Sequence, residues 1–237
     1  MGNVAIIPAR GGSKRIPRKN IKDFFGKPII AYSIEIAKRS ELFSNIIVST
    51  DDEEIADIAI KYGANVPFLR SAENSNDYST TAAVIAEVLT SLKDYSSLNY
   101  INSCCIYPTA PLINVEKLQE GYKLLVNKNR DTVFPVLKFS YPIWRGLEFV
   151  NDGIIKMLWP EFENSRSQDL KETFHDAGQW YWFNINAFKK QQTFFTKNTS
   201  SIVLSEFEAQ DIDNLEDWFI AEQKYQFIRK NRNYEKI

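Results

Sequence analysis

Two stretches of the sequence carry side chains whose types and spacing could do chemistry. The first, residues 6–20, IIPARGGSKRIPRKN, sets Arg10, Lys14, Arg15, Arg18 and Lys19 beside Gly11 and Gly12, with no acid before Asp23. Like charges so close repel, so the cluster is either a fully solvated turn or the seat of an anion. Two glycines let a ligand approach the backbone, and the amides of such a turn can converge on phosphate oxygens while the cations neutralise them. The spacing matches neither the dinucleotide fingerprint nor the phosphate loop of nucleotide triphosphatases. The second stretch is AQDIDN, residues 209–214. On an extended segment, Asp211 and Asp213 project to the same side and could face one hard cation. The same residues would also suit an Asx turn or a helix N-cap before LEDWF.

The elements around them must place a loop at the end of a strand. Residues 4–9, VAIIPA, read as a buried first strand that runs into the basic loop. A helix is predicted over 28–39, with Ile30, Ile34 and Ala37 on one face, followed by the strand NIIVST and the helix DDEEIADIAIKYGA with Gly63 beyond its end. After the polar break SAENSNDY, a helix over 79–93 presents Val84, Ile85, Val88, Leu89 and Leu92. YINSCCIY follows as a strand, then a helix over 114–127 and the strand DTVFPVL. This alternation predicts an α/β fold with a doubly wound, mainly parallel sheet, in which ligands bind at the carboxyl ends of strands. Further strands are expected at QWYWFNI and SIVLSE, and a last helix from about 214 to 229. Adjacent Cys104 and Cys105 would point to opposite faces of their strand, and so would the members of the Trp180-Tyr181-Trp182 block.

Between 139 and 182 the pattern changes to mixed aromatics and charges, with a hairpin turn expected at Asn151-Asp152-Gly153. Residues 139–173 read as a segment inserted into one domain spanning 1–237. Phe139, Tyr141, Trp144, Phe149, Leu158 and Trp159 are more apolar surface than so small a flap can hide, which predicts a two-fold homodimer built on this segment.

Bulk properties narrow the partners. With 29 basic and 30 acidic residues and a net charge of −1, the chain has no global attraction to nucleic acid or membrane, so an anion would be bound locally. Adjacent cysteines suit neither an ordinary disulfide nor a chelating pair. No apolar run has the length of a membrane span, no secretory signal pattern is visible, and MGNVAI lacks the Ser or Thr of a myristoylation signal. A reducing cytoplasm is the expected location.

IIPARGGSKRIPRKN followed by GKPIIAYSIE resembles the N-terminal signature of the acylneuraminate-type cytidylyltransferases, sugar nucleotidyltransferases that activate nine-carbon and related acidic sugars as CMP conjugates. The stretches ARGGSKRIPRKNI, SRSQDL, HDAGQWYW and DIDNLED look most like the members of that family that act on pseudaminic acid, and the resemblance runs over essentially the whole chain. It implies a Rossmann-like fold, homodimerisation and Mg²⁺-dependent transfer of CMP from CTP to the anomeric hydroxyl of a nonulosonic acid. Pseudaminic acid stands ahead of legionaminic or sialic acid. By position, Ala9, Arg10, Gly12, Ser13, Lys14, Lys19 and Asn20 match the nucleotide-binding segment, with Arg10, Lys14 and Lys19 on the phosphates. Arg70, Asp77, Ser79 and Thr80 match a segment that closes over the cytidine. Asp211 and Asp213 match the magnesium site. YPTAPL matches the family's QPTSPL with Tyr107 in place of the glutamine that contacts the acceptor in the sialic acid enzymes, which counts against sialic acid. Arg145, Arg166 and Gln168 fall where the family holds the acceptor's carboxylate and hydroxyls, a task suited to a forked guanidinium. From their own context those arginines could equally lie over nearby aromatics. His175 could contact the acceptor or be a hydrogen-bonded structural histidine. No side chain stands out as a general base. A non-enzymatic alternative is a nucleotide- or RNA-binding module, against which stands the lack of a wider basic patch or stacking surface.

Overall fold

The first strand is apolar because both of its faces are covered. In the computed structural model, which describes residues 2–95 and 99–234, β1 (Gly2–Pro8) lies inside a seven-stranded sheet. The ends of the 1–237 span, and residues 96–98, lie outside the described residues. After β1 come the short hairpin β2 (Asp23–Phe24) and β3 (Lys27–Pro28), then α1 (Ile29–Ser40), β4 (Asn45–Ser49), α2 (Glu53–Lys61) and α3 (Thr81–Tyr95). Next are β5 (Tyr100–Ile106), α4 (Val115–Asn127), β6 (Thr132–Lys138), and the inserted hairpin β7 (Leu147–Phe149) and β8 (Ile155–Met157). The described chain ends with β9 (Phe174–Asp176), β10 (Trp180–Asn184), α5 (Ile185–Gln191), β11 (Thr199–Val203) and α6 (Leu215–Tyr234).

The main sheet has the order β11-β6-β10-β5-β1-β4, with β9 also paired to β6. β4, β1, β5, β6 and β11 run in one direction, and β10 and β9 run against them. The expected mainly parallel, doubly wound sheet is therefore present, with its antiparallel strands supplied by the HDAGQWYW region. Side chains alternate as the two-residue period requires. Ala5, Ile7, Cys104, Trp180 and Trp182 pack toward α1, α2 and α4, whereas Val4, Ile6, Cys105, Tyr181 and Phe183 pack toward α3 and α5. Both cysteines are buried and free.

β9 and β10 form one antiparallel run along β6, interrupted at residues 177–179, where Gly178 adopts φ +60°. Such a kink favours glycine on backbone grounds, and a Cβ there would make only an ordinary contact, 3.5 Å from Cγ of Asp211. The expected turn at Asn151-Asp152-Gly153 joins β7 to β8, with Asp152 and Gly153 both at positive φ. Trp144 and Trp159 of the insertion hide on one another, ring centroids 5.7 Å apart. Leu147 and Phe149 remain 60% and 78% exposed, and Tyr141 just before the hairpin 84%, so the insertion presents an apolar face that the described residues do not cover.

A third, small core fixes the two chemical stretches relative to each other. Ile16 from the basic loop, Phe24 from β2, Tyr32 from α1, Ile212 from the aspartate segment, and Trp218 and Ala221 from α6 are buried together. Because Ile212 is fully buried, the aspartates on either side of it are turned away from this core.

Candidate active site

The loop after β1 and the turn after β5 meet at the carboxyl ends of parallel strands, where α/β sheets bind ligands. They enclose a cavity of about 360 Å³ whose lining includes Arg10, Ser13, Lys14, Arg15, Lys19, Asn20, Arg70, Ser79, Thr81, Tyr107, Asp211 and Asp213. The basic loop and the aspartate pair, 190 residues apart in sequence, thus share one cavity.

The loop's cations do not hang free in water. Arg10 Nη1 lies 2.6 Å from Asp77 Oδ1, and Lys14 pairs with the other oxygen of the same carboxylate. Arg15 Nη2 is 2.8 Å from Asp213 Oδ1. Arg18 pairs with Asp52 and Glu54, outside the cavity. Lys19 Nζ donates to the Ile212 carbonyl at 2.5 Å and stands 4.0 Å from Asp213. Asn20 is buried and donates its amide to the Arg10 carbonyl at 2.9 Å, which holds the loop in its turn. The mutual repulsion noted in the sequence is therefore met by acids from three other segments, and the four cations that face Asp77 and Asp213 line one cavity.

The two glycines have different reasons. A Cβ on Gly11 would lie 2.7 Å from Asp52 Oδ2 and 3.0 Å from Asp52 Cβ, so Gly11 is needed by the protein's own packing. Around Gly12 no atom lies within 4 Å of the added Cβ, which leaves that face of the loop open to a ligand.

Desolvation tunes four groups. Partial burial lowers the Lys19 ammonium from its usual value against the pull of Asp213 and Asp211. Arg70 is buried and its guanidinium is lowered by that burial; it donates from Nε to Ser49 Oγ at 3.0 Å and to the Ser49 carbonyl. Asp211 is raised, first by desolvation and then by the Asp213 charge beside it. Burial also pushes the Tyr107 hydroxyl up to about 12, so it is a neutral phenol at pH 7.

The aspartate segment is not a helix cap. Asn214 takes that task, accepting from the amides of Glu216 at 2.8 Å and Asp217 at 3.1 Å, and Asp217 accepts in return from the amides of Asp213 and Asn214. Among the described residues no cation lies within 4 Å of the Asp211 carboxylate, and no cluster of three or more potential ligands of the His, Cys, Asp or Glu type occurs. Two neighbouring carboxylates, one of them raised by burial and then by the other's charge, are an electrostatic invitation to a cation. Their hard oxygens suit Mg²⁺, which binds through one or two carboxylates and keeps waters or substrate phosphates for the rest.

Several expectations need adjusting. Thr80 does not face the cavity: its Oγ1 accepts from the Ala83 amide at 3.1 Å and caps α3, and Thr81, one residue on, lines the cavity instead. Asp77 sits at the rim as counter-ion to Arg10 and Lys14 rather than as a lining group. Ala9 is fully buried and Gly12 lies at the open edge. Pro108 and Thr109 line the wall next to Tyr107 and belong to the same YPTAPL stretch, whose other members carried a signal that singling out Tyr107 passed over. Of the predicted acceptor set, Tyr107 alone lines the cavity. Arg166 forms a two-pronged pair with Asp169, at 2.7 and 3.2 Å, on the exposed insertion. Arg145 is exposed on a single turn of the same insertion. Gln168 lines a separate cavity of about 440 Å³ formed with Lys138, Phe139 and Lys171. His175 bonds through Nδ1 to the Asp176 carbonyl at 2.9 Å and packs on Phe139. One chain by itself does not bring these four to the cavity.

Comparison with known proteins bears on this arrangement. The family model described as cytidylyltransferase matches residues 4–231. The pseudaminic acid cytidylyltransferase of Campylobacter jejuni subsp. jejuni serotype O:2 is 40% identical over 225 residues, which cover 95% of this chain and 97% of that protein. A CMP-N,N'-diacetyllegionaminic acid synthase from Legionella pneumophila subsp. pneumophila is 30% identical over 226 residues, covering 92% of this chain and 94% of that protein. In fold, the chain is similar to the structure of CMP:2-keto-3-deoxy-manno-octonic acid synthetase complexed with CTP, with a TM-score of 0.69 at 15% identity over 97% of this chain and 100% of that one. A family match over nearly the whole length, on a sheet whose strand ends hold a cation-lined cavity, leads to one conclusion: the chain belongs to the cytidylyltransferase family.

Proposed function

We propose that the protein transfers CMP from CTP to the anomeric hydroxyl of pseudaminic acid, with Mg²⁺, as a homodimer in the cytoplasm where CTP is made. The observation that carries this reading is the single cavity lined by Arg10, Lys14 and Lys19 on one side and Asp211 and Asp213 on the other. The 40% identity to a pseudaminic acid cytidylyltransferase supports the choice of sugar.

In this reading the triphosphate displaces Asp77 from Arg10 and Lys14, exchanging one carboxylate for a more highly charged anion. Lys19, already partly desolvated, adds a donor that interacts more strongly than an exposed lysine would. The open side of Gly12 admits phosphate oxygens to the loop backbone, and Asn20, Arg70 and Ser79 take the nucleoside end. Asp211 and Asp213 hold Mg²⁺, which when bound neutralises charge on the phosphates. The anomeric oxygen attacks the α-phosphorus and the bond to the bridging oxygen of the β-phosphate breaks. Pyrophosphate leaves carrying that electron pair while the hydroxyl proton is released. Positioning and charge neutralisation are most of the catalysis in such transfers, and the residues present supply both.

Tyr107 bounds the acceptor end of the cavity. Arg145, Arg166 and Gln168 would be delivered by the 139–173 segment of a second copy, whose exposed Tyr141, Leu147 and Phe149 form a face suited to burial in a dimer. The test is a panel of nonulosonic acids with CTP and Mg²⁺, read as pyrophosphate released. Pseudaminic acid should give the highest kcat/KM, and a preference for legionaminic or sialic acid would reassign the acceptor. Release with no sugar in the panel would reject the reaction.

A further inference from the structure

The basic loop is tied at both ends to the start of α2. At one end the Gly11 amide donates to Asp51 Oδ1 at 2.9 Å. At the other, Arg18 spans two acids: Nη1 pairs with one oxygen of Asp52, Nη2 donates to the other at 2.9 Å, and Nη2 also pairs with Glu54. Asp52 is itself fixed, because its Oδ1 accepts from the Ile55 amide at 3.0 Å as the N-cap of α2. None of these residues lines the cavity. Between the two ties lie Gly12, with its open face, and Ser13, Lys14 and Arg15, which do line it.

Arg18 has φ 56° and ψ 30°, the left-handed region where glycine sits without strain and an arginine does not. The turn around it is tight, with the Lys19 amide donating to the Ile16 carbonyl at 3.2 Å and the Ile21 amide to the Arg18 carbonyl at 3.0 Å. Neighbouring cations are thereby sent in opposite directions. Arg18 reaches out to α2, whereas Lys19 enters the cavity and donates to the Ile212 carbonyl. Left to itself, a loop of this composition would spread its like charges apart. A loop already held in shape gives up less freedom when an anion binds.

We propose that Arg18, clasped by Asp52 and Glu54, is a positioning residue that holds the basic loop in the shape that receives the triphosphate, with the Asp51–Gly11 bond as the second tie. The acids at the start of α2 then act on the nucleotide through the loop and never touch it. This rests on the proposed nucleotide reading of the cavity and adds residues outside it to the binding apparatus.

The test is calorimetric titration of the full-length protein with CTP and Mg²⁺ in the absence of sugar. Arg18→Gly removes the clasp but suits the left-handed backbone, so the CTP Kd should rise about three- to tenfold while Tm stays within about 3 °C of wild type. Asp52→Asn combined with Glu54→Gln undoes the clasp from the other side and keeps the α2 cap, since asparagine caps as well as aspartate. Charge alone predicts that removing two acids near the loop tightens CTP. Loss of the tie predicts that it weakens CTP, about threefold or more. In the Arg18→Gly background the same acid substitutions should no longer weaken CTP, because the clasp is already gone. If the combined acid variant does not fold, Glu54→Gln alone carries the comparison of sign. The sugar KM, measured with the panel sugar of highest turnover, should stay unchanged. An unchanged CTP Kd in Arg18→Gly, with or without a lower Tm, tighter CTP binding in the acid variant, or a sugar KM that rises as much as the CTP Kd would overturn the proposal and leave the nucleotide reading intact. A wild type that binds no CTP would remove that reading, and this inference with it.

Discussion

Gly11 and Gly12 are neighbours of the same type in the same loop, and they should fail in different ways. In Gly11→Ala the new methyl meets not only the tip of Asp52 but also its Cβ at 3.0 Å and Cγ at 3.2 Å, so rotating the carboxylate does not relieve the contact. Asp52 must shift. Its Oδ1 caps α2 by accepting from the Ile55 amide at 3.0 Å and also takes Arg18 Nη2 at 2.9 Å. Losing the cap costs about 1 kcal/mol. The Arg18 pair is 39% exposed on the arginine side and adds no more than about 1 kcal/mol. Replacing glycine returns about 0.5 kcal/mol through the unfolded chain. The net loss of about 1.5 kcal/mol corresponds to a Tm about 3–6 °C lower in a protein of this size. In Gly12→Ala the methyl meets nothing, so Tm should hold or rise by about 1–3 °C. The CTP KM should nevertheless increase about tenfold or more, because the methyl occupies space that the phosphates need and a charge-assisted contact is lost. Differential scanning fluorimetry and steady-state kinetics on both variants measure this. Equal melting temperatures would show that Asp52 is not pinned against the loop. An unchanged CTP KM in Gly12→Ala would show that the triphosphate does not use this face.

Asp77→Asn removes the carboxylate that Arg10 and Lys14 share, so the Kd for CTP measured by calorimetry should fall, by no more than about fivefold because the pairs are exposed; weaker CTP binding would mean that Asp77 itself serves the nucleotide. Asp213→Asn keeps the shape of the side chain but removes an anionic oxygen, so the Mg²⁺ concentration for half-maximal rate should rise at least about tenfold with little change in the ligand-free Tm. Identical magnesium curves for variant and wild type would leave the aspartate pair without a metal role. Light scattering at micromolar protein should give a dimer, and Leu147→Glu with Phe149→Glu should give a monomer, since both side chains are exposed on the apolar hairpin; a monomeric wild type would refute the shared-site reading. Arg166→Lys keeps the charge but loses the fork that now holds Asp169, so its defect should fall on the sugar's KM and not on CTP binding.

Periodicity carried most of the fold. The alternation of Cys104 with Cys105, and of Trp180 and Trp182 with Tyr181, follows from the two-residue period once the strands are recognised, and the two cores divide along it. The hairpin of β2 and β3 was not legible because each strand has two residues, too few for a pattern; its one signal is Phe25-Gly26, both at positive φ. β9 escaped because Phe174-His175-Asp176 has two polar residues out of three and is cut from β10 by the Gly178 kink. In the site, the basic loop and the aspartates could be read from their chemistry. Their common cavity could not, since it depends on Ile16 and Ile212 sharing a small core, a contact with no local signature. Thr80 was named by resemblance to the family; the helix expected from 79 begins at Thr81, so Thr80 is the residue before it and its hydroxyl accepts from the Ala83 amide. Arg145, Arg166 and Gln168 of the insertion do not line the cavity of their own chain, and nothing in the local pattern of their sequence says what they face.

The most direct test of the account is ³¹P NMR of a reaction containing the protein, CTP, Mg²⁺ and pseudaminic acid. The account predicts that the α-phosphate signal of CTP moves to that of a phosphodiester joined to the sugar, with pyrophosphate appearing in equal amount, and that Lys19→Ala slows both together. CTP that stays intact, or that yields CDP and inorganic phosphate instead, would contradict it.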